Sequence, residues 1–277
     1  MRDARTNIRD ALYEAPGPRT RRLTAVGTVL TLAALAVLIA LVIRRFYEAG
    51  QLDSKYWALF AKYTTWRYIG KGLVGTVEAA LMAGALTFAL GFTYMLLRIS
   101  RVRAARAVGT ALVEFTRGVP TLLFIYFFFL VVPQLGIKLS AFWKITLPVA
   151  ISASGVVAEV LRSGVNAVPN GQREAAYSLG MRERSVFLKV VFPQAFRIVI
   201  PAMISELVIV LKDTTFAYVV SFPDLMQNAK VLISNYDSLL AVYLVVAVIY
   251  ILINYLLNKA SDFMARRRNQ VKGAAAV

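Results

Sequence analysis

No cysteine and no histidine occur among the 277 residues. The first absence excludes disulfides and thiol nucleophiles. The second excludes histidine metal sites and every Ser-His or Cys-His catalytic arrangement. Negative charge is also scarce, with 15 Asp and Glu against 32 Lys and Arg and a net charge of +17. That excess invites a nucleic-acid reading, but the basic residues mostly flank apolar runs and form no single stripe. They fit the positive-inside bias and contact with membrane lipid, so no nucleic-acid partner is expected. The chain has no Gly-x-x-x-x-Gly-Lys-Ser/Thr phosphate loop, which excludes ATP hydrolysis of the usual kind. Internal repeats and low-complexity segments are absent as well.

What is abundant is apolar sequence: 58% of residues are hydrophobic and the mean hydropathy is +0.62. Uncharged runs of about 20 residues make this an all-α polytopic membrane protein, because each run forms a helix long enough to cross a bilayer. Leu23–Ile43 alone would be about 31 Å long. A cleaved signal peptide is the competing reading, but its apolar core would be only about 7–15 residues, followed by small residues. Here Arg44 and Arg45 follow directly. We expect six spans, at about 23–43, 73–97, 113–133, 145–166, 196–220 and 238–258. They lie within one domain over 23–260, between a polar tail at 1–22 and a basic tail at 261–277 that holds Arg266, Arg267 and Arg268.

Six spans place both termini on one side. The loop Arg98–Arg106 and the C-terminal tail mark that side as cytoplasmic, although the connector Arg44–Lys71 carries as many basic residues as the first 22 positions. In that connector Tyr56, Phe60 and Tyr63 fall on one helical face with Trp57 and Trp66 nearby. It reads as an amphipathic helix at the outer interface or as a loop over the bundle.

Between the fourth and fifth spans lies a charged, helix-forming island, residues 169–192, whose composition fits a water-exposed hairpin of two short helices. Asn170 is placed to cap the first, Glu174 to meet its N-terminal dipole, and Gly180 to end it in a left-handed conformation. The second, Glu183–Phe192, is expected to stop at Pro193. Small residues Ala175, Ala176 and Gly180 would let a partner approach closely, while Val186, Phe187 and Val190 would plug an apolar groove. Ionisable residues inside the spans are candidates for a translocation path, because leaving them in lipid is expensive. Glu159 and Arg162, three apart, can pair with each other or contact a substrate. Glu206 and Asp213 are seven apart and share a face, with Lys212 pointing elsewhere, and Pro201 permits a kink in the same helix.

These residues also carry a resemblance. Val168–Gly180 (VPNGQREAAYSLG), Phe192–Ala195 (FPQA) and Lys212–Thr215 (KDTT) resemble the permease subunits of ATP-binding-cassette importers, in the branch that imports polar amino acids. YEAPGPRTRR at Tyr13–Arg22 and GQLD at Gly50–Asp53 are similar to glutamate-importer permeases of high-GC Gram-positive bacteria. The resemblance implies a type I importer permease fold in the cell membrane, with 169–192 as the cytoplasmic coupling hairpin. Gly171, Glu174, Ala175, Ala176, Gly180, Val186 and Phe187 would then meet a separate ATPase that binds the ATP and Mg, leaving this chain without a cofactor. It also implies an extracytoplasmic amino-acid-binding protein and a second permease subunit, either another copy or, as the distinct N-terminal tail favours, a different chain. Lys212, Asp213 and Thr214 match the family's Lys-Asp-Thr element, as a gate, an inter-subunit contact or a structural pairing. Arg117 with Pro120 resembles its Arg-Gly-x-Pro element, which suits an interfacial anchor. Two departures stand out: Arg182 replaces a small capping residue, and Glu206 stands where relatives often carry an amide.

The function expected is therefore import of glutamate or a related polar amino acid, driven by a partner ATPase; the chain itself would be no enzyme. An ion-gradient-driven carrier and a structural scaffold are the rivals. The carrier predicts uptake that survives ATP depletion, and the scaffold has no need of the hairpin.

Overall fold

A computed structural model describes residues 17–274, with side chains through residue 261. Most of the N-terminal tail and the side chains of Arg266, Arg267 and Arg268 lie outside the described residues. The chain divides after Tyr56 into two units.

In the first unit, helix α1 spans Pro18–Glu48. Proline at its start costs nothing, since the first N–H groups of a helix lack partners anyway. The hydroxyls of Thr24, Thr28 and Thr31 donate to carbonyls one turn back, at 2.9, 2.8 and 2.8 Å, which satisfies them inside an apolar helix. None of its residues is buried within the unit, and it is long and apolar enough to cross a membrane.

Tyr56, Phe60 and Tyr63 do not share a helix: a 3-10 turn over Ala58–Ala61 and an extended Lys62 precede helix α2, Tyr63–Ile99. The Trp66 indole N–H donates to the Phe60 carbonyl at 2.8 Å and fixes that corner.

Helices α3 (Arg103–Gly118) and α4 (Thr121–Tyr126) occupy the region of the span expected over 113–133. The two arms, with α4 continuing to Leu135, are bent by 96°. Pro120 is the cause, because the ring forces the preceding residue out of the α region; Val119 sits at φ −96°, ψ 125°.

Helix α5, Ala141–Asn166, is the centre of the unit and buries Ile145, Val149, Ala153, Val157 and Leu161. Small residues bring its neighbours in. A Cβ on Gly91 of α2 would lie 2.6 Å from Val157 Cγ1 and 2.9 Å from the Ser154 carbonyl; one on Gly155 would lie 3.0 Å from the Val113 carbonyl of α3. Without a hydrophobic drive between helices in lipid, such close backbone packing is what holds them.

The hairpin follows as α6 (Asn170–Ser178) and α7 (Glu183–Ser185), then a π turn over Val186–Val191 that runs directly into α8, Phe192–Asp213. Pro193 therefore does not end a helix. The wider π turn precedes it, and the proline occupies the first turn of α8, where a missing N–H is tolerated.

Beyond α8 the chain makes a 3-10 turn over Thr214–Val220 and a left-handed Ser221, then α9 (Leu225–Tyr236) and α10 (Leu239–Ala274). Asp224 caps α9 by accepting the Gln227 N–H at 2.7 Å. The described residues hold five helices long and apolar enough to cross a membrane, or six with the bent pair counted as one span.

Candidate coupling hairpin and translocation cavity

The hairpin is built partly as foreseen. Gly180 takes φ +73°, the left-handed value that glycine adopts freely, and lets the Met181 N–H reach the Ala176 carbonyl at 3.2 Å. Asn170 is not the cap: α6 starts at Asn170 itself after Pro169, with no side-chain cap. Glu174 accordingly lies in the second turn of α6 and not the first, so the dipole argument for it lapses. Arg182, extended at ψ 148°, starts the second arm through its backbone carbonyl, which accepts the Ser185 and Val186 N–H groups at 2.8 and 3.0 Å. A small capping side chain is not needed there.

Which side chains face outward also differs from expectation. Val186 and Ala176 are turned inward, 2% and 4% exposed, and join Val165, Leu161 and Met95 in one buried cluster. They bind the hairpin to its own spans and are not available to plug a partner's groove. Phe187 is half-buried, its ring 5.8 Å from Phe192. Gly171, Glu174, Ala175 and Gly180 remain on the surface. Beside them Leu179 is 82% exposed and Tyr177 half-exposed, two residues not singled out from the sequence. A bulky apolar residue directly before the turn glycine of a charged hairpin was the available signal.

Two ionic ties hold this end. Arg101 reaches Glu183 at 2.8 Å, joining the loop between α2 and α3 to the hairpin. Glu159 is shared: one carboxylate oxygen takes Arg162 Nε and Nη2 at 3.0 and 2.8 Å, and the other pairs with Arg98 at the end of α2. Of the two alternatives for Glu159 and Arg162, this is the helix-locking geometry, and it lies in the last turns of α5 nearest the hairpin. Arg98 thus does more than mark a basic loop.

Glu206 occupies different surroundings. It lines a cavity of about 390 Å³ between α2, α5 and α8, walled by Leu81, Val157, Phe196, Met203 and Leu207. Glu206 is the one ionisable residue in that lining. It is 7% exposed and makes no hydrogen bond or ion pair with another described residue. The other polar lining residue, Thr87, is already committed to the Ala150 carbonyl at 3.4 Å. An unpaired carboxylate held in an apolar chamber costs stability, and in a membrane protein such a group is a candidate for a ligand path.

Asp213, on the same helix face, is not in this cavity. Its carboxylate accepts the Thr121 hydroxyl at 3.0 Å, and Thr121 lies 2.9 Å from the Ser152 hydroxyl, so Asp213 ties α8 to α4 and α5. Thr214 is buried and donates to the Leu211 carbonyl at 2.7 Å, while Lys212 is exposed. The Lys-Asp-Thr element therefore points three ways. Arg117 lays its stem against α5, where a Cβ on Gly155 would come within 2.8 Å of its Cγ. Ser205 and Ser261 both donate to the Pro201 carbonyl, at 3.1 and 3.2 Å, which links α8 to α10.

Residues 85–270 fit the family described as binding-protein-dependent transport system inner membrane component. The glutamate transport system permease protein GluD of Corynebacterium glutamicum is 33% identical over 79% of this chain and 81% of its own length. The probable glutamine ABC transporter permease protein GlnM of Bacillus subtilis is 32% identical over 71% and 91%. Among solved structures, a chain of an amino acid ABC transporter with histidines superposes with a TM-score of 0.69 at 29% identity, over 75% of this chain and 96% of that one. The MetNI methionine ABC transporter shares the fold at 16% identity and a TM-score of 0.63. With a family match across two thirds of its length and relatives matched over most of theirs, the chain belongs to the inner-membrane permease family of binding-protein-dependent transport systems.

Proposed function

We propose that this chain is the permease subunit of an ATP-driven importer for glutamate or a related polar amino acid. The observation that carries the proposal is the hairpin 170–191. It presents Glu174, Ala175 and Leu179 outward, while Val186 and Ala176 seat it in the same cluster as α5. A push on its surface is thereby delivered to the helix that α2, α3 and α8 all pack against. In this reading a separate cytoplasmic ATPase docks on the hairpin and binds the ATP and Mg. Both termini face the cytoplasm, a second and different permease subunit completes the passage, and an extracytoplasmic binding protein delivers the amino acid. Glu206 in its apolar cavity meets the ammonium group of the passing substrate.

The experiment is uptake of labelled glutamate and glutamine by cells making the full transporter, with Glu174→Lys beside the parent. Loss of uptake together with release of the ATPase from membranes is expected. Uptake and ATPase retention that are both untouched would move the gradient-driven carrier to the front, and uptake surviving ATP depletion would confirm it.

A further inference from the structure

Helix α2 begins uncapped beside a polar cavity. Lys62 precedes the helix without a side-chain cap, and the Tyr63 and Thr64 N–H groups have no partner among the described residues. A cavity of about 300 Å³ lies there between α2 and α9, and its lining includes Thr64, Thr65, Tyr68, Asn235 and Tyr236. Tyr236 also brings in a cation, with Lys62 Nζ 5.1 Å from its ring centre. Thr65 is 3% exposed, yet its hydroxyl bonds to no described residue. The buried Thr76 and Thr116 of neighbouring turns instead donate to carbonyls one turn back, at 3.1 and 2.9 Å. A buried hydroxyl left open towards a cavity calls for a partner from outside the chain.

The depth of the cavity is set by packing. Ile69, one turn on from Thr65, shares a buried cluster with Val242 and Val246 of α10, whose uncharged run begins at Ser238. The cavity therefore lies at the edge of the apolar layer, where phospholipid headgroups are found. Tyr63 and Trp66 are exposed beside it, as in the aromatic belt of a membrane interface. The surrounding charge is mostly positive. Lys62 and, on the next turns of α2, Arg67 and Lys71 are exposed and have no ion pair among the described residues. Opposing them is the exposed carboxylate of Asp237, next to Tyr236.

We propose that this cavity holds the headgroup of an anionic phospholipid of the phosphatidylglycerol class. Its phosphate accepts from the free N–H groups of α2 and from Lys62, and its glycerol hydroxyls meet Thr64, Thr65 and Asn235. Lys62, Arg67 and Lys71 against Asp237 favour a head with net negative charge over a zwitterionic one. A lining of hydroxyls and an amide also offers a choline group nothing to bond. A lipid seated there ties the first turn of α2 to the last turn of α9, at the corner from which α10 starts.

The test is native mass spectrometry of the full chain in its assembled transporter, delipidated in detergent and titrated with phosphatidylglycerol, phosphatidylcholine or soluble glycerol phosphate. The parent is expected to bind its first phosphatidylglycerol about tenfold more tightly than phosphatidylcholine, and glycerol phosphate only weakly. Thr65→Val keeps the side-chain shape and should lower phosphatidylglycerol affinity about fivefold, and Lys62→Gln about tenfold, with phosphatidylcholine unchanged in both. Equal affinity of the parent for the two lipids overturns the proposal whether or not the variants fold. So does glycerol phosphate binding as tightly as the lipid, which would make this a site for a soluble anion. A Lys62→Gln/Thr65→Val protein that keeps the parent's preference would place the lipid elsewhere and overturn it too. None of these results bears on whether the transporter imports an amino acid.

Discussion

Replacing Glu206 with glutamine should make the protein more stable and less active at once. The side chain keeps its shape and loses its charge, so the effect isolates what the carboxylate does in the cavity. Glu206 is 7% exposed, faces Leu207, Phe196 and Met203, and has no partner among the described residues. After relaxation an ionised carboxylate in such a place still costs several kcal/mol, whereas a neutral amide costs about 1–3 kcal/mol. The exchange should therefore stabilise the folded chain by about 1–3 kcal/mol. For a domain of this size that raises the thermal midpoint by about 2–10 °C. If the carboxylate meets the substrate's ammonium group, losing the charged pair costs the complex at least about 2 kcal/mol, or about thirtyfold in uptake efficiency. The midpoint is read by thermal unfolding in detergent. Uptake is read in proteoliposomes energised with ATP, with basal ATPase activity as the control for assembly. A lowered midpoint would mean that Glu206 has a stabilising partner in the assembled protein. Unchanged uptake would remove it from the substrate path, and either result refutes the reasoning.

Two further predictions follow from packing and burial. Gly91→Ala places a Cβ 2.6 Å from Val157 Cγ1 and should destabilise the α2–α5 contact by about 1–3 kcal/mol, while Gly118→Ala, with nothing within 4 Å, should not; thermal unfolding of the two variants compares them directly. Burial pushes the Asp224 carboxyl up to about 6 from an ordinary 3.8, against the pull of the Gln227 N–H. The folded chain therefore keeps a proton that the unfolded chain has lost, and stability should fall by about 3 kcal/mol as pH rises from 4 to 6 and then level off. Asp224→Asn keeps the cap and removes the charge, so its unfolding midpoint should stay flat across that window.

The outline of the fold was legible because lipid demands long uncharged helices, and a run such as Leu23–Ile43 meets that demand with no tertiary context. The breaks were harder. Pro120 and Pro193 carry the same local signal, a ring that disfavours helix in the preceding residue. One bends the chain by 96°, and the other passes into α8 behind a π turn. The ring by itself does not distinguish the two; what differs in the fold is whether a wider turn is packed in front of it. At Pro193 that turn contains Val186 and Val191, both buried in the cluster around α5.

The same limit governs the candidate site. Spacing put Glu159 beside Arg162 and Glu206 beside Asp213, and both pairs do share a helix face. Their partners come from other helices: Arg98 from α2 completes the first group, and Thr121 from α4 removes Asp213 from the second. Glu206 is then the carboxylate left alone in the apolar cavity. Periodicity within one helix identifies groups that are free to act together, but the neighbouring helices decide which are neutralised. A carboxylate that no helix neutralises costs this chain stability in the resting state. It is retained at that cost if something arriving from outside supplies the missing positive charge, and the ammonium group of an amino acid is the smallest such partner that every candidate substrate carries.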